Sequence, residues 1–233
     1  MTNIVFKDLG LKDYKETWDL QLEVHNKLKA AKYDIANIET SSSEEIVLPH
    51  IFFVEHPHVY TLGKSGSSNN LLVSKDFMEK IHATYYHIER GGDITYHGPG
   101  QLVGYPVLDL ELFKLSVKRY VWVLEESVIE TLQDYGINGI RREGFIGVWL
   151  DSGKPPVRKI CAIGVKVSRY ITLHGFALNV NTDLNYFNYI NPCGFTDSGV
   201  TSVSRELNQP VDMEPLKQKL YLNLLKYLNS SQV

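Results

Sequence analysis

Short apolar runs fill the middle of the chain between amphipathic segments at its two ends, and this order of elements constrains the fold more than any other feature. The runs are rich in β-branched and aromatic residues, as strands are, and they cover residues 46–54, 83–88, 102–110, 147–150, 159–167 and 171–180. Apolar residues spaced three and four apart predict helices over residues 13–31, over residues 117–135 and from about residue 213. Because no repeat or Pro/Ser-rich linker interrupts the chain, the sequence predicts a single α+β domain over residues 1–233. Its core is a mixed β-sheet flanked by helices.

Residues 33–45 interrupt this pattern with a run of Ser, Thr and Glu that is too polar to pack into a core. We therefore predict an exposed insertion loop here rather than a linker between two domains. Such an insertion changes the surface of the domain and leaves the core as it is.

The charge balance excludes several functional classes. The chain has 24 Lys and Arg against 27 Asp and Glu, a net charge of −3, whereas dedicated nucleic-acid binders carry a basic excess. No run of 18 apolar residues is present, so a membrane partner is not predicted either. The first 14 residues lack the apolar run of a signal peptide, and the expected location is the cytoplasm.

Residues 90–101 form the segment with the most unusual composition, with four Gly and one Pro in twelve residues between two strand-like runs. Backbone without Cβ atoms can approach a ligand closely, and Arg90, Thr95, His97 and Gln101 add polar groups to the same segment. An ordinary Gly-rich turn is the alternative. The Gly spacing matches neither a phosphate loop nor a dinucleotide fingerprint, so we predict a binding loop of another kind.

A second segment places a lysine in an apolar strand. Alternation along residues 159–167 predicts Lys159, Cys161 and Ile163 on one face and Ile160 and Ala162 on the other. A strand-end lysine that reaches solvent is the simplest reading of Lys159. A lysine held in apolar surroundings is instead a usable acid or base near neutral pH.

The chain has two cysteines, and their surroundings differ. Cys161 lies inside an apolar run, as a buried, space-filling cysteine does. Cys193 lies between Pro192 and Gly194, where a turn would present its thiol to a substrate and to a neighbouring cation. With no secretory signal, both cysteines are expected to be free thiols in a reducing compartment.

Histidine spacing gives no support for a metal site. His56 and His58 are two residues apart and His82 and His87 are five apart, and neither interval is a recognised ligand spacing. No metal is therefore predicted.

Six groups of residues resemble a known family when they are taken together and in order. They are residues 55–57 with 60–63, 90–101, 159–164, 174–179, 192–194 and 200–202. The family is the lipoyl(octanoyl)transferases, which are related to the biotin and lipoate protein ligases.

The resemblance implies a fold, an activity and partners. The fold would be that of the biotin/lipoate protein ligase catalytic domain. The activity would be transfer of an octanoyl group from octanoyl-acyl carrier protein to a lysine of lipoyl domains, the first step of endogenous protein lipoylation. The acceptors would be 2-oxoacid dehydrogenases and the glycine-cleavage H protein. No cofactor is implied, because transfer from a thioester through a second thioester to an amide needs no ATP.

The resemblance also implies the site residues. Cys193 would carry the acyl group as a thioester, and Lys159 would be its acid/base partner. The acyl-binding residues would be Arg90, Gly91, Gly92, Asp93, Ile94, Thr95, Tyr96, His97, Ala162, Ile163, Gly164, Gly175, Phe176 and Ala177.

Two other functions remain open from the sequence. A lipoate or biotin protein ligase of the same fold would activate a free acid with ATP and would need no cysteine nucleophile. A non-catalytic acyl-binding or scaffold protein would need neither Lys159 nor Cys193.

Overall fold

The computed structural model describes residues 2–36, 47–151, 153, 156–191 and 198–230. Within these residues the chain forms a mixed sheet of eight strands, a smaller sheet of three strands and five α-helices. The strands are β1 (Val5–Leu11), β2 (His50–Glu55), β3 (Val59–Leu62), β4 (Thr84–His87), β5 (Ile94–His97), β6 (Gln101–Val107), β7 (Ile140–Arg142), β8 (Phe145–Leu150), β9 (Val157–Ser168), β10 (Ile171–Asn179) and β11 (Ser198–Val200). The helices are α1 (Tyr14–Ala36), α2 (Lys75–Lys80), α3 (Val117–Gln133), α4 (Val203–Leu207) and α5 (Met213–Ser230).

The large sheet has the order β1-β2-β6-β10-β9-β8-β7, and β11 pairs with β9 beside this path. β1 runs parallel to β2 and β11 runs parallel to β9, whereas the other neighbours are antiparallel. The central strands β6 and β10 are buried along their whole length, because helices cover both faces of the sheet.

The two faces of the large sheet bury different apolar clusters. Helices α3 and α5 pack on one face, where Leu124, Val128, Leu220 and Leu224 are fully buried with residues of the sheet. Helix α3 begins after Ser116, whose side chain accepts a hydrogen bond from the Arg119 backbone N–H. Helix α1 covers the other face.

The small sheet has the order β4-β3-β5 and forms a separate apolar cluster with α2. Tyr60 and Tyr96 lie at its centre, and a 3₁₀ turn over Leu184–Tyr189 packs against them. The Tyr60 hydroxyl donates to the Tyr186 carbonyl oxygen at 2.9 Å. This turn therefore ties the chain that follows β10 to the small sheet.

The structure confirms the predicted α+β class with a mixed sheet and flanking helices, and it corrects two local predictions and adds a strand, β1, that was not predicted. Helix α1 continues to Ala36 because no Gly or Pro stops it, so the first four residues of the loop predicted over residues 33–45 are helical. Residues 37–45 lie outside the described residues. Strand β5 occupies part of the segment predicted as a connection over residues 90–101. Strand β1 is an edge strand with exposed Lys7 and Asp8, and it lacks the apolar run that marks the buried strands.

Candidate active site

A cleft opens on the α1 face of the large sheet. Its floor is formed by the middle of β6, β9 and β10, and its cover by β5, Arg90 and the first residue of α1. The lining residues are Tyr14, Arg90, Thr95, His97, Val103, Tyr105, Ala162, Ile163, Gly164, His174, Gly175, Phe176 and Ala177.

Nine of the fourteen predicted acyl-binding residues line this cleft. They are Arg90, Thr95, His97, Ala162, Ile163, Gly164, Gly175, Phe176 and Ala177. The two segments on β9 and β10 meet because these consecutive strands form a hairpin, with Ala162 opposite Ala177 and Gly164 opposite Gly175.

The other five predicted residues, Gly91, Gly92, Asp93, Ile94 and Tyr96, are not part of the lining. Alternation along β5 turns Thr95 and His97 towards the cleft and buries Ile94 and Tyr96 in the cluster of the small sheet. The Asp93 carboxylate forms hydrogen bonds outside the cleft lining: it accepts from the Ile94 backbone N–H at 2.7 Å and from the Asn70 amide at 2.6 Å.

Four lining residues were not predicted: Tyr14, Val103, Tyr105 and His174. Val103 and Tyr105 lie two residues apart on β6, so their common face was visible in the alternation of that strand. Tyr14 comes from the far end of the chain and carries no local signal. His174 is the first residue of a segment that the resemblance had marked, but its orientation depends on an unusual backbone angle described below.

Arg90 is buried and holds the cover of the cleft in place. Its guanidinium donates to the Thr61 carbonyl oxygen at 2.6 Å, to the Thr61 hydroxyl at 3.1 Å and to the Gly91 carbonyl oxygen at 3.0 Å. Close approach to β9 needs glycine, because a Cβ on Gly164 would lie 2.9 Å from the Gly91 carbonyl oxygen and 3.2 Å from Arg90 Cδ.

His97 lies under the cover in a chain of buried hydrogen bonds. Its Nδ1 lies 2.8 Å from Gln101 Oε1, and the Gln101 amide donates to Asn179 Oδ1 at 2.9 Å and to the Tyr96 carbonyl oxygen at 3.2 Å. Because Gln101 uses its Nε2 as the donor, its oxygen accepts from a protonated Nδ1 of His97. Burial lowers the pKa of His97 to about 3, so the ring is neutral at pH 7.

His56 is a buried partner of Tyr105 in the cleft floor. Its Nδ1 donates to the Lys12 carbonyl oxygen at 2.7 Å, and its Nε2 accepts from the Tyr105 hydroxyl at 2.9 Å. Burial lowers the pKa of His56 to about 4. A neutral His56 therefore fixes the position of the Tyr105 ring in the cleft.

Strict alternation predicts Lys159 and Cys161 on one face of β9, and this prediction is wrong. Lys159 lies opposite Trp149 and Cys161 lies opposite Val148, which leaves Ile160 without an opposite residue. This is a β-bulge, and it puts Lys159 and Cys161 on opposite faces because adjacent residues of β8 face opposite ways. Ile160 and Cys161 consequently both enter the core under α3 and α5.

The Lys159 side chain lies along β8. Its Nζ is 4.4 Å from the centroid of the Trp149 ring, within the range of a cation–π interaction. Gly147 has a φ of +126° and leaves room for the lysine, since a Cβ there would lie 3.5 Å from Lys159 Cε and 2.6 Å from the Cys161 carbonyl oxygen. Lys159 lies three residues from Ala162 along β9, just beyond the cleft lining.

Of the two cysteines, only Cys161 belongs to the described residues. Cys161 is fully buried, and burial raises the pKa of its thiol far above the usual range, so it is a neutral space-filling group at pH 7. Cys193 lies outside the described residues. Before it, the Asn191 backbone N–H donates to the Asn70 carbonyl oxygen at 2.8 Å. After it, Val200 of β11 lies opposite Lys159 of β9.

The described residues show neither a metal site nor a membrane span. In that part of the chain, no group of three or more His, Cys, Asp or Glu side chains is arranged to hold a metal ion. No described helix combines the length and the apolar character needed to cross a membrane.

Known proteins resemble this chain in sequence and in fold. Residues 13–224 match the family described as the lipoyl protein ligase A/B catalytic domain. An octanoyltransferase from Bacteroides thetaiotaomicron is 51% identical over 228 residues, which cover 98% of this chain and 96% of that protein. An octanoyltransferase from Christiangramia forsetii is 52% identical over 215 residues, covering 92% and 91%. A lipoate protein ligase from Thermoplasma acidophilum superposes with a TM-score of 0.64 at 16% identity, covering 97% of this chain and 83% of that one. The chain belongs to the lipoyl protein ligase A/B catalytic domain family.

Proposed function

We propose that this protein is an octanoyltransferase that moves an octanoyl group from an acyl carrier protein to a lysine of a lipoyl domain, the first step of protein lipoylation. The observation that carries the proposal is the identity of about half of the sequence, over nearly the whole chain, to proteins named octanoyltransferase. The whole chain, residues 1–233, acts as one catalytic domain. The lipoyl domains are those of 2-oxoacid dehydrogenases and of the glycine-cleavage H protein.

The octanoyl chain occupies the cleft. An acyl chain needs a narrow apolar channel, and Ala162, Ala177 and Val103 supply small apolar side chains on neighbouring strands. The end of the cleft at Ala162 is nearest to Lys159, so the reacting carbonyl belongs at that end. The hydrocarbon then extends along β10 towards Gly175.

The reaction proceeds in two transfers. In the first, the Cys193 thiolate attacks the carbonyl carbon of the donor thioester, and the carrier thiolate leaves and takes up a proton. In the second, the amine of the acceptor lysine attacks the Cys193 thioester, the cysteine thiolate leaves, and the amine loses a proton as the amide forms. No oxidant, reductant or ATP enters either step.

Lys159 serves as the acid and base of both transfers. As an ammonium group it stabilises the Cys193 thiolate and can donate the proton that the leaving carrier thiolate needs, and as an amine it accepts the proton that the acceptor lysine loses. The course of the described chain supports this pairing. The Thr201 backbone N–H donates to the Lys159 carbonyl oxygen at 3.0 Å, and Cys193 precedes Thr201 by only eight residues.

An ATP-dependent ligase of the same fold is the alternative. Lipoate protein ligases resemble this chain at 14–16% identity, a level that supports a common fold and no common activity. A ligase would use free octanoate with ATP and Mg²⁺, whereas a transferase uses the thioester without them. The relatives that are half identical favour the transferase.

The test is octanoyl transfer to an isolated lipoyl domain, followed by mass spectrometry of that domain. We expect transfer from octanoyl-acyl carrier protein without ATP and none from octanoate with ATP and Mg²⁺. For Lys159→Ala we expect a rate at least about a hundredfold lower, as for the loss of a general acid/base. The control is Lys166→Ala on the same strand, which should transfer at the wild-type rate. Transfer that depends on ATP would contradict the proposal, as would a wild-type rate in Lys159→Ala.

A further inference from the structure

The side chains on the cleft floor differ in size between its two ends. At the end nearest to Lys159, Ala162 lies opposite Ala177, and Ala177 lies opposite Val103 on its other side. These three side chains are small and leave space above the sheet. An apolar acyl chain can pack against these side chains.

Large side chains occupy the far end. Tyr105 follows Val103 by two residues on β6, and His174 lies opposite Val165 on β9. Both residues are at most 3% exposed, and their ring centroids are 6.5 Å apart. The Tyr105 ring is fixed by its hydrogen bond to His56. The floor of the cleft therefore ends in two rings.

His174 reaches this position through an unusual backbone angle. Its φ is +61°, in the left-handed region that favours glycine, and its backbone N–H donates to Gln21 Oε1 on α1 at 2.9 Å. Phe176, two residues later, packs against Phe53 on the opposite face of the sheet. Without the left-handed angle, alternation would send His174 to that face as well. Instead its ring lies beside Trp18 of α1 at a centroid distance of 6.4 Å.

The far end is also polar. Among the described residues, His174 Nδ1 and Gln21 Nε2 are buried and have no hydrogen-bond partner. A hydrocarbon satisfies neither atom. A longer acyl chain pushed past Tyr105 would therefore meet these polar atoms instead of the small apolar side chains of the near floor.

The length of the cleft matches an eight-carbon chain. Ala177 and His174 are three residues apart on β10, which corresponds to about 10 Å along a strand. A fully extended octanoyl group measures about 9 Å from its carbonyl carbon to its methyl carbon, given carbon–carbon bonds of about 1.5 Å. An acyl group whose carbonyl lies at the Lys159 end thus brings its methyl group to His174.

We propose that His174, seated by its left-handed backbone and backed by Tyr105, is the stop that limits the acyl chain to about eight carbons. This inference rests on the proposed function, which places the acyl chain in the cleft and its carbonyl at the Lys159 end. His174 is a specificity-determining residue and takes no part in proton transfer.

The test is a competition between donors of different length. The protein is mixed with equal amounts of octanoyl-, decanoyl- and dodecanoyl-acyl carrier protein, and the acyl adducts on the protein are measured by intact mass spectrometry. We expect octanoyl to dominate in the wild type. In His174→Gly, which removes the ring and suits a positive φ, the ratio of dodecanoyl to octanoyl adduct should rise at least about tenfold. His174→Asn, which also tolerates a positive φ, should give a smaller rise that favours decanoyl.

The matched control is Tyr170→Gly. Tyr170 belongs to the turn between β9 and β10 and has a φ of +64°, but it is half exposed and does not line the cleft. This variant gains the same backbone freedom as His174→Gly and should keep the wild-type ratio. Unchanged ratios in both His174 variants would overturn the proposal, as would an equal rise in Tyr170→Gly.

A second measurement separates this inference from the proposed function. Calorimetry measures the binding of octanoate and of dodecanoate to the same proteins, and this binding needs no acyl transfer. If the wild type forms no adduct, the proposed function fails, and the binding data then decide about His174. A dodecanoate affinity that rises at least about tenfold relative to octanoate in His174→Gly supports the stop, and an unchanged ratio of affinities overturns it.

Discussion

The Lys159 ammonium lies 4.4 Å from the centroid of the Trp149 indole ring, which is itself buried. Trp149 also donates from Nε1 to the Phe145 carbonyl oxygen at 3.3 Å, so the ring has a fixed position. An aromatic face at this distance attracts a cation and restricts where the lysine can point. The indole is therefore a positioning group for Lys159.

Trp149→Phe and Trp149→Leu test this role as a pair, because both variants lose the Nε1 hydrogen bond and only the first keeps an aromatic face. A cation–π interaction contributes about 0.5–2 kcal/mol, so kcat for octanoyl transfer should be about 2- to 30-fold lower in the Leu variant than in the Phe variant. Thermal unfolding of both variants checks that the fold is retained. Equal kcat values would show that the aromatic face does not matter.

Gly147→Ala should destabilise the protein and displace Lys159. The new Cβ would meet the Cys161 carbonyl oxygen at 2.6 Å, and the backbone φ of +126° is strained for alanine. Gly144→Ala, in the turn of the same hairpin, has a φ of +78° but no atom within 4 Å of its Cβ. Urea unfolding should give a loss for Gly147→Ala that exceeds the loss for Gly144→Ala by about 1–3 kcal/mol. Similar losses would mean that the space around Gly147 is not restrictive.

Cys161 should be unreactive towards alkylating reagents and dispensable for octanoyl transfer. Burial raises the pKa of its thiol, so at pH 8 it has neither the thiolate form nor the access that alkylation needs. Treatment of the folded protein with iodoacetamide, followed by peptide mapping, should label Cys193 and leave Cys161 unmodified. Cys161→Ala should keep octanoyl transfer near the wild-type rate. Loss of acylation in that variant would reverse the choice of nucleophile.

Three of the buried histidines, those with the largest shifts in pKa, make stability depend on pH. Burial lowers the pKa of His56 to about 4 and those of His97 and His174 to about 3, whereas a histidine in the unfolded chain titrates near pH 6.5. Between pH 6.5 and pH 4 the unfolded state therefore binds more protons. The free energy of unfolding should fall as the pH falls, by up to about 1.4 kcal/mol per pH unit for each histidine.

Urea unfolding between pH 4.5 and pH 8 measures this dependence. Above pH 7 these histidines should contribute no slope, because they are neutral in both states. His97→Gln removes one titrating group, so its curve should be shallower below pH 6.5 by up to about 1.4 kcal/mol per pH unit. A slope equal to that of the wild type would mean that His97 is already protonated in the folded protein.

Elements with strong patterns were predictable from the sequence. The apolar runs of β2, β6 and β10 and the stripe of α3 are where they were expected, because central strands and core helices bury most of their side chains. The two halves of the cleft floor on β9 and β10 were also identified. Their meeting follows from antiparallel pairing, which the sequence alone does not fix.

The failures lie where local geometry departs from a regular element. The bulge at Ile160 puts Lys159 on the opposite face of β9 from Cys161. The left-handed φ of His174 puts its ring on the opposite face of β10 from Phe176. Neither departure changes composition or hydrophobic periodicity. Both residues contact parts of other elements, Trp149 of β8 in the first case and Gln21 of α1 in the second. Such positions are common at functional sites, where tertiary contacts override local preference.

The most direct test of the proposed reaction is the mass of the protein after incubation with octanoyl-acyl carrier protein alone. We expect one octanoyl adduct, released by hydroxylamine as thioesters are, on the peptide that contains Cys193. The adduct should be absent in Cys193→Ser and present in Cys161→Ala. An octanoyl adduct that persists in Cys193→Ser, or that resists hydroxylamine, would contradict a thioester on Cys193.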